Sequence, residues 1–248
     1  MERPQFNEEY FNPNAELPYG VKPEEVATAI KEFYDFYGGL NEFLLREDHG
    51  RLETVLRANN ALSDFVGNAV TEEVANMSDA LIVNQKQDGF PDLLPVDHGA
   101  YAEQDYEVHH GDNGIETKCS KSSGGWQAHN NESAWFIVFR YERGDSDDEI
   151  TEMDPIHFVQ VLAANLDEDD WSHSGRSEDS RRTITSSIQA SGMHKLRANP
   201  IYEDPGAITG RGVKLIEYKE RHASFDPSFA EENPEYAAQQ VKLGVNDD

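Results

Sequence analysis

Two short segments decide how this chain is expected to fold: residues 89–95 read GFPDLLP, and residues 114–120 read GIETKCS. The second segment alternates in polarity, which is typical of a β-strand. In a strand, side chains two residues apart share a face, so Glu116 and Lys118 project together while Thr117 points to the other side. The sequence therefore predicts a strand that carries a carboxylate and an ammonium group side by side.

Apolar patterns on both sides of these segments predict the fold class. Residues 134–141 (AWFIVFRY) and 158–166 (FVQVLAANL) have the composition of buried strands, and LIV at 81–83 is a shorter β-like run. Upstream, residues 22–78 place apolar side chains at helical spacing, with Gly38-Gly39 as a helix stop. Helices followed by strands predict an α/β fold with a mixed core and a helical N-terminal region.

Chain length predicts the domain organisation. The chain has 248 residues, which fits one domain with a sizeable core. Residues 1–20 are polar and rich in proline, and they predict a flexible arm. We expect a single domain over 21–225, divided into a helical region (21–80), a catalytic core (81–170) and a basic segment (171–225), followed by an acidic tail over 226–248.

The charge balance is unusual for a globular protein. There are 48 acidic and 21 basic residues, giving a formal net charge of −27, and the acidic runs are spread along the whole chain. Such a surface stays soluble under heavy salt screening, so it is typical of a cytoplasmic protein from a salt-accumulating halophile. The alternative interpretation is an acidic mimic of DNA.

Cysteine content and hydropathy indicate the compartment. The single cysteine, Cys119, excludes an intramolecular disulfide framework and fits a reducing cytoplasm. His109, His110, Cys119 and His129 match no compact zinc motif. No apolar run reaches the roughly 18–20 residues that a membrane span needs, so no membrane association is predicted.

Asp92 precedes Glu116 by 24 residues, and the two carboxylates are the candidate metal ligands. Carboxylates that converge beside a lysine are costly unless they are paired or bound to a cation, and such an all-oxygen site suits Mg²⁺. A site of this kind orients a water molecule and neutralises charge on a phosphate. The alternative, in a chain with 48 acidic residues, is two surface carboxylates and an ordinary Glu–Lys strand pair.

Pro91-Asp92 followed by Glu116-x-Lys118 resembles the motif of the PD-(D/E)XK superfamily of nucleases, which includes many type II restriction endonucleases. The resemblance covers about residues 50–165. It implies a restriction endonuclease-like core: a central mixed β-sheet flanked by helices, with the active site at one edge.

The same resemblance implies roles for the motif residues. Asp92 and Glu116 would bind Mg²⁺, with Mn²⁺ as a substitute, and Thr117 would lend its backbone carbonyl. Lys118 would position the attacking water. An upstream acidic residue often joins such sites, and the candidates, which the sequence does not rank, are Glu53, Glu72 and Glu73.

The activity implied is that of a Mg²⁺-dependent endodeoxyribonuclease acting on double-stranded DNA, as in a type II restriction system. A homodimer on a palindromic site and a partner DNA methyltransferase are implied by the same analogy. Two other classes stay open: a catalytically inactive nucleic-acid-binding protein, and an acidic protein-interaction module.

Basic residues are concentrated in one segment of this acidic chain. Residues 171–225 hold nine basic and six acidic residues, whereas the rest of the chain holds 12 and 42. Phosphates are bound by Arg, Lys and hydroxyl groups, so the segment is the predicted DNA-binding surface. The alternative is that these side chains pair with local carboxylates or form a protein interface. The predicted DNA-binding residues are Arg176, Arg181, Arg182, Thr183, Lys195 and Arg197.

Overall fold

A computed structural model describes residues 3–56, 60–96, 106–124, 126–128, 133–142, 155–173 and 186–207. The helices in these ranges are α1 (Pro23–Arg46), α2 (Leu52–Val55), α3 (Ala61–Met77) and α4 (Ala190–Ala198). The strands are β1 (Leu81–Val83), β2 (Leu93–Pro95), β3 (Ile115–Ser120), β4 (Gln127–Ala128), β5 (Ala134–Glu142), β6 (His157–Leu166), β7 (Trp171–His173), β8 (Ser186–Ile188) and β9 (Pro200–Glu203).

The strands form one large and one small sheet. The large sheet has the order β1-β2-β3-β5-β6-β9, and the small sheet has the order β4-β8-β7. In the large sheet β3 and β5 are parallel, while the other neighbouring strands are antiparallel. The structure confirms a mixed α/β fold with a central mixed sheet flanked by helices.

Both faces of the large sheet are covered, and β5 shows this most clearly. Ile137 and Phe139 belong to the core formed with α1 and α3, which we call the first core. Phe136 and Val138 point the opposite way, into a second core that includes Trp171 of the small sheet and residues of α4. Because alternate side chains are buried on opposite sides, β5 is apolar almost throughout.

Helix α1 begins where the sequence predicts and ends later than predicted. Pro23 occupies the first turn, where its missing N–H removes no helical hydrogen bond. The predicted stop at Gly38-Gly39 is wrong, since α1 continues to Arg46. A Cβ on Gly38 would lie 2.9 Å from the Arg3 side chain. Gly38 therefore provides room for the Arg3 side chain to lie across the helix, where it pairs with Asp35 and Glu42.

The segment predicted as a flexible arm lies packed along β9 in the structure. Phe11 forms a bridge with Tyr202, and the Asn12 backbone N–H donates to the carbonyl of Ile201 at 2.9 Å. Asn12 is itself buried, and its side-chain amide donates to the Pro200 carbonyl at 2.8 Å. The extended chain provides partners for backbone groups at the edge of the sheet, which is the physical reason that it does not project into solvent.

Part of the expected DNA-binding surface lies outside the described residues. This holds for Arg176, Arg181, Arg182 and Thr183, and also for the predicted acidic tail over 226–248. Among the helices in the described ranges, none combines the length and the apolar character that crossing a membrane requires.

Candidate active site

The register of β2 on β3 brings the two motif segments together. Leu93 pairs with Ile115 in an antiparallel ladder. Asp92 immediately precedes β2, and its carboxylate reaches β3 through hydrogen bonds from Thr117. The aspartate of the first segment therefore lies at the start of β2, next to the strand that carries Glu116.

Glu116 and Lys118 form an ion pair along β3. Lys118 Nζ donates to Glu116 Oε1, and the two side chains are 25% and 9% exposed. In the parallel ladder with β5 they pair with Phe136 and Val138, which face the second core. A carboxylate this deeply buried needs a neighbouring cation, and Lys118 supplies one.

Asp92 is held by a single residue of β3. Its Oδ2 atom accepts a hydrogen bond from the Thr117 backbone N–H at 2.9 Å and another from the Thr117 hydroxyl at 2.7 Å. Thr117 alternates with Glu116 along the strand, so its hydroxyl lies on the α3 side of the sheet. Asp92 is half-buried, and the two hydrogen bonds from Thr117 fix the orientation of its carboxylate.

The sequence does not reveal that Thr71 of α3 also belongs to this arrangement. The hydroxyl oxygens of Thr71 and Thr117 are 2.7 Å apart. A Cβ on Gly67 would lie only 3.1 Å from Cβ of Cys119, so the glycine permits close packing of α3 on β3. No sequence signal identifies Thr71, because its role depends on how the helix docks on the sheet.

Asn84, just after β1, holds the chain that leads into Asp92, and sequence reasoning also missed it. Its side-chain amide donates to the Pro91 carbonyl at 3.0 Å and to the Val108 carbonyl at 2.7 Å. Its backbone N–H donates to the Asp92 carbonyl at 2.8 Å. Asn84 therefore fixes the backbone on both sides of the Pro91–Asp92 peptide bond.

Each motif segment begins with a glycine that the packing requires. A Cβ on Gly89 would lie 2.5 Å from the Val108 carbonyl oxygen. Gly114 has φ +144°, and a Cβ there would lie 2.3 Å from both the Leu93 carbonyl oxygen and Pro91 Cγ. A side chain at Gly114 would push β2 away from β3, so this glycine allows Asp92 to reach Thr117. A side chain at Gly89 would instead push the chain before β2 away from Val108.

The upstream acidic candidates differ in their surroundings. Glu53 is buried, and its carboxylate accepts from Arg51 at 3.2 Å and from the Asn41 amide at 3.4 Å. Its neighbour Leu52 belongs to the first core, on the sheet face opposite Glu116. Glu72 is exposed and Glu73 is half-buried. Glu53 is thus already engaged by a cation and an amide.

Within the described ranges, no group of three or more His, Cys, Asp or Glu side chains is arranged to hold a metal ion. The donors at the motif are oxygen atoms only: the carboxylates of Asp92 and Glu116 and the carbonyl of Thr117. Mg²⁺ is commonly bound by one or two carboxylates, with water and substrate phosphates completing the shell. The donor set therefore fits Mg²⁺ and does not fit a closed zinc site.

Two of the predicted DNA-binding residues lie in α4. Lys195 Nζ donates to Asp167 at 2.8 Å and to Asp170 at 2.6 Å, and these hydrogen bonds raise the pKa of the lysine. The Asp170 side chain is only 2% exposed. The contacts of Lys195 thus fit the alternative interpretation, in which basic residues of this segment pair with local carboxylates. Arg197 donates to the Ser123 carbonyl at 3.5 Å.

Comparisons with protein-family models, with curated proteins and with solved structures gave no match to this chain. The resemblance to the PD-(D/E)XK superfamily accordingly rests on the motif residues.

Proposed function

We propose that the protein is a metal-dependent endonuclease that hydrolyses phosphodiester bonds in DNA. Asp92, Glu116 and the backbone carbonyl of Thr117 would hold Mg²⁺ or Mn²⁺. The observation that supports this proposal best is the pairing of β2 with β3, since Asp92 at the start of β2 is hydrogen-bonded to Thr117, the residue between Glu116 and Lys118.

The chemistry follows from the side chains at these positions. A bound divalent cation would supply positive charge to offset the charge that develops on the scissile phosphate. Lys118 is hydrogen-bonded to Glu116 and its side chain is partly exposed, and in this proposal its ammonium group would orient a water molecule for attack. Thr117 keeps Asp92 fixed, which limits the reorganisation needed when substrate binds.

The finer parts of the proposal come from the motif resemblance and from charge. We propose a restriction endonuclease-like core and a type II restriction activity in the cytoplasm of a halophile, with a homodimer reading a palindromic site and a DNA methyltransferase as partner. DNA would be bound by the basic segment over 171–225. The residues proposed for that contact are Arg176, Arg181, Arg182, Thr183 and Arg197, whereas Lys195 is already paired with Asp167 and Asp170.

A plasmid assay tests the proposed activity. Supercoiled plasmid is incubated with the purified protein in molar KCl, with and without Mg²⁺, and nicked or linear products are measured on a gel. We expect products only with Mg²⁺, and a loss of about 100-fold or more in Asp92→Asn. Asp79→Asn, an exposed aspartate at the turn between α3 and β1, is the matched control. DNA binding without Mg²⁺-dependent cleavage would favour the catalytically inactive alternative.

A further inference from the structure

We infer that Thr71 and Thr117 are positioning residues that orient Asp92 for monodentate binding of a divalent cation. This inference rests on the proposed function and assigns roles to two hydroxyl groups that the nuclease motif does not specify. It is carried by a chain of short contacts that runs from α3 through β3 to the carboxylate.

The direction of the hydrogen bonds follows from the chemistry of the groups. An ionised carboxylate only accepts, so the Thr117 hydroxyl must donate its single hydrogen to Asp92. The lone pairs of that hydroxyl then remain to accept from Thr71, whose single hydrogen is shared between Thr117 Oγ1 and the Gly67 carbonyl, each 2.7 Å from the Thr71 oxygen. Thr71 therefore fixes the rotation of the Thr117 hydroxyl, and Thr117 fixes the carboxylate.

Helix α3 provides the fixed end of this series of contacts. Thr71 is buried, and its hydroxyl oxygen is also 2.7 Å from the Gly67 carbonyl one turn earlier in α3. The absence of a side chain at Gly67 lets this turn of α3 lie against Cys119, two residues beyond Thr117 on the same face of β3. The position of Thr71 is thus set by packing between helix and sheet.

These contacts determine which carboxylate oxygen of Asp92 is available to bind a cation. Both hydrogen bonds from Thr117 go to Oδ2, and Oδ1 makes no hydrogen bond within the described part of the chain. Asp92 therefore presents one oxygen to a cation. Monodentate carboxylate ligands suit the small octahedral coordination shell of Mg²⁺, whereas Ca²⁺ also accepts bidentate carboxylates.

Magnesium binding by the full-length protein, measured by isothermal titration calorimetry in molar KCl, tests the inference without relying on cleavage. The double variant Asp92→Asn/Glu116→Gln gives the background from surface carboxylates, which matters in a chain of net charge −27. Loss of such an outer hydrogen-bond partner typically weakens metal binding by about 10–100-fold, which we expect for Thr117→Val. Thr117→Ser keeps the hydroxyl and should restore the affinity.

Thr71→Val provides a second test from α3, and it should cause a smaller loss because Thr71 acts through Thr117. Its matched control is Thr28→Val, since the exposed Thr28 makes the same bond to a carbonyl four residues back, that of Glu24, at 2.8 Å. Unchanged binding in Thr28→Val, together with rescue by Thr117→Ser, would support the inference.

The contrary outcomes are distinguishable. If the wild-type protein and the double carboxylate variant bind Mg²⁺ equally, the metal site and the proposed function both fail. If the wild type binds more tightly but Thr117→Val and Thr71→Val bind as well as it does, only the positioning role fails. Equal weakening in Thr117→Val and Thr117→Ser would also overturn it, because the hydroxyl would then be irrelevant.

Discussion

Lys118 donates a hydrogen bond to Glu116 from two residues along the same strand, while its own side chain stays 25% exposed. The glutamate is the more deeply buried partner, with 9% of its side chain exposed. Lys118 therefore balances a buried carboxylate while part of its own side chain remains accessible to solvent.

Lys118→Ala should abolish cleavage and also lower stability. Removing a group that positions the attacking water costs about 10²–10⁴-fold in rate. Leaving Glu116 without its cation should cost about 1–3 kcal/mol in the free energy of unfolding. Plasmid cleavage and thermal unfolding measure the two effects. Lys121→Ala is the control, because Lys121 is exposed on the same segment. Equal cleavage by both variants would contradict the assignment of Lys118.

The identity of the activating ion should follow from the oxygen donors. We expect Mg²⁺ and Mn²⁺ to support cleavage, and Ca²⁺ to promote DNA binding with little cleavage. Activity is measured after EDTA treatment and readdition of each ion, and DNA binding is measured in parallel by mobility shift. Cleavage that survives EDTA, or that requires zinc, would rule out the proposed site.

The strands with a clear apolar or alternating pattern could be predicted from the sequence, and most of the short strands could not. Strands β1, β5 and β6 begin and end within one or two residues of the bounds predicted from the sequence. The other strands, β3 apart, have two to four residues, too few for a period to show. They exist because distant segments pair with them, as β9 pairs with β6.

The site shows the same division between local and long-range information. Alternation along one strand is a local property, so it predicted that Glu116 and Lys118 share a face. The contact between Asp92 and Thr117 depends on the β2–β3 register, and the contact between Thr71 and Thr117 depends on helix docking. Neither is encoded in the spacing of residues along the chain.

Stability should fall at alkaline pH through Tyr202. Burial, more than the nearby charge of Asp204, raises the pKa of Tyr202 from 10.0 to about 12. Between these values the unfolded chain loses the phenolic proton while the folded protein keeps it, so unfolding becomes more favourable as pH rises. The loss should approach about 1.4 kcal/mol per pH unit for this group. Denaturant unfolding at pH 10 to 12 should show a shallower decline in Tyr202→Phe, and an unchanged decline would exclude this role.

Lys195→Ala should destabilise the protein more than it weakens DNA binding. The ammonium group balances Asp170, whose side chain is almost fully buried between α4 and the turn before β7. Because Lys195 itself is 41% exposed, solvent screening limits the expected cost to about 1 kcal/mol. Thermal unfolding measures this cost, and mobility shift below the unfolding temperature measures DNA affinity. A large affinity loss with unchanged stability would instead make Lys195 a DNA contact.

The double variant Arg181→Ala/Arg182→Ala should bind DNA much more weakly than the wild type. These arginines belong to the segment in which basic residues outnumber acidic ones, although the chain as a whole has a net charge of −27. Each contact with a phosphate of B-DNA contributes about 0.9 to the slope of log affinity against log salt, so losing two contacts should reduce the slope by about two. Mobility shift over a series of KCl concentrations gives both the affinity and the slope. Lys22→Ala/Arg46→Ala removes the same charge from the two ends of α1, at exposed positions. If this control lowers the slope equally, DNA affinity depends on the net charge of the protein alone, and the basic segment is not the binding surface.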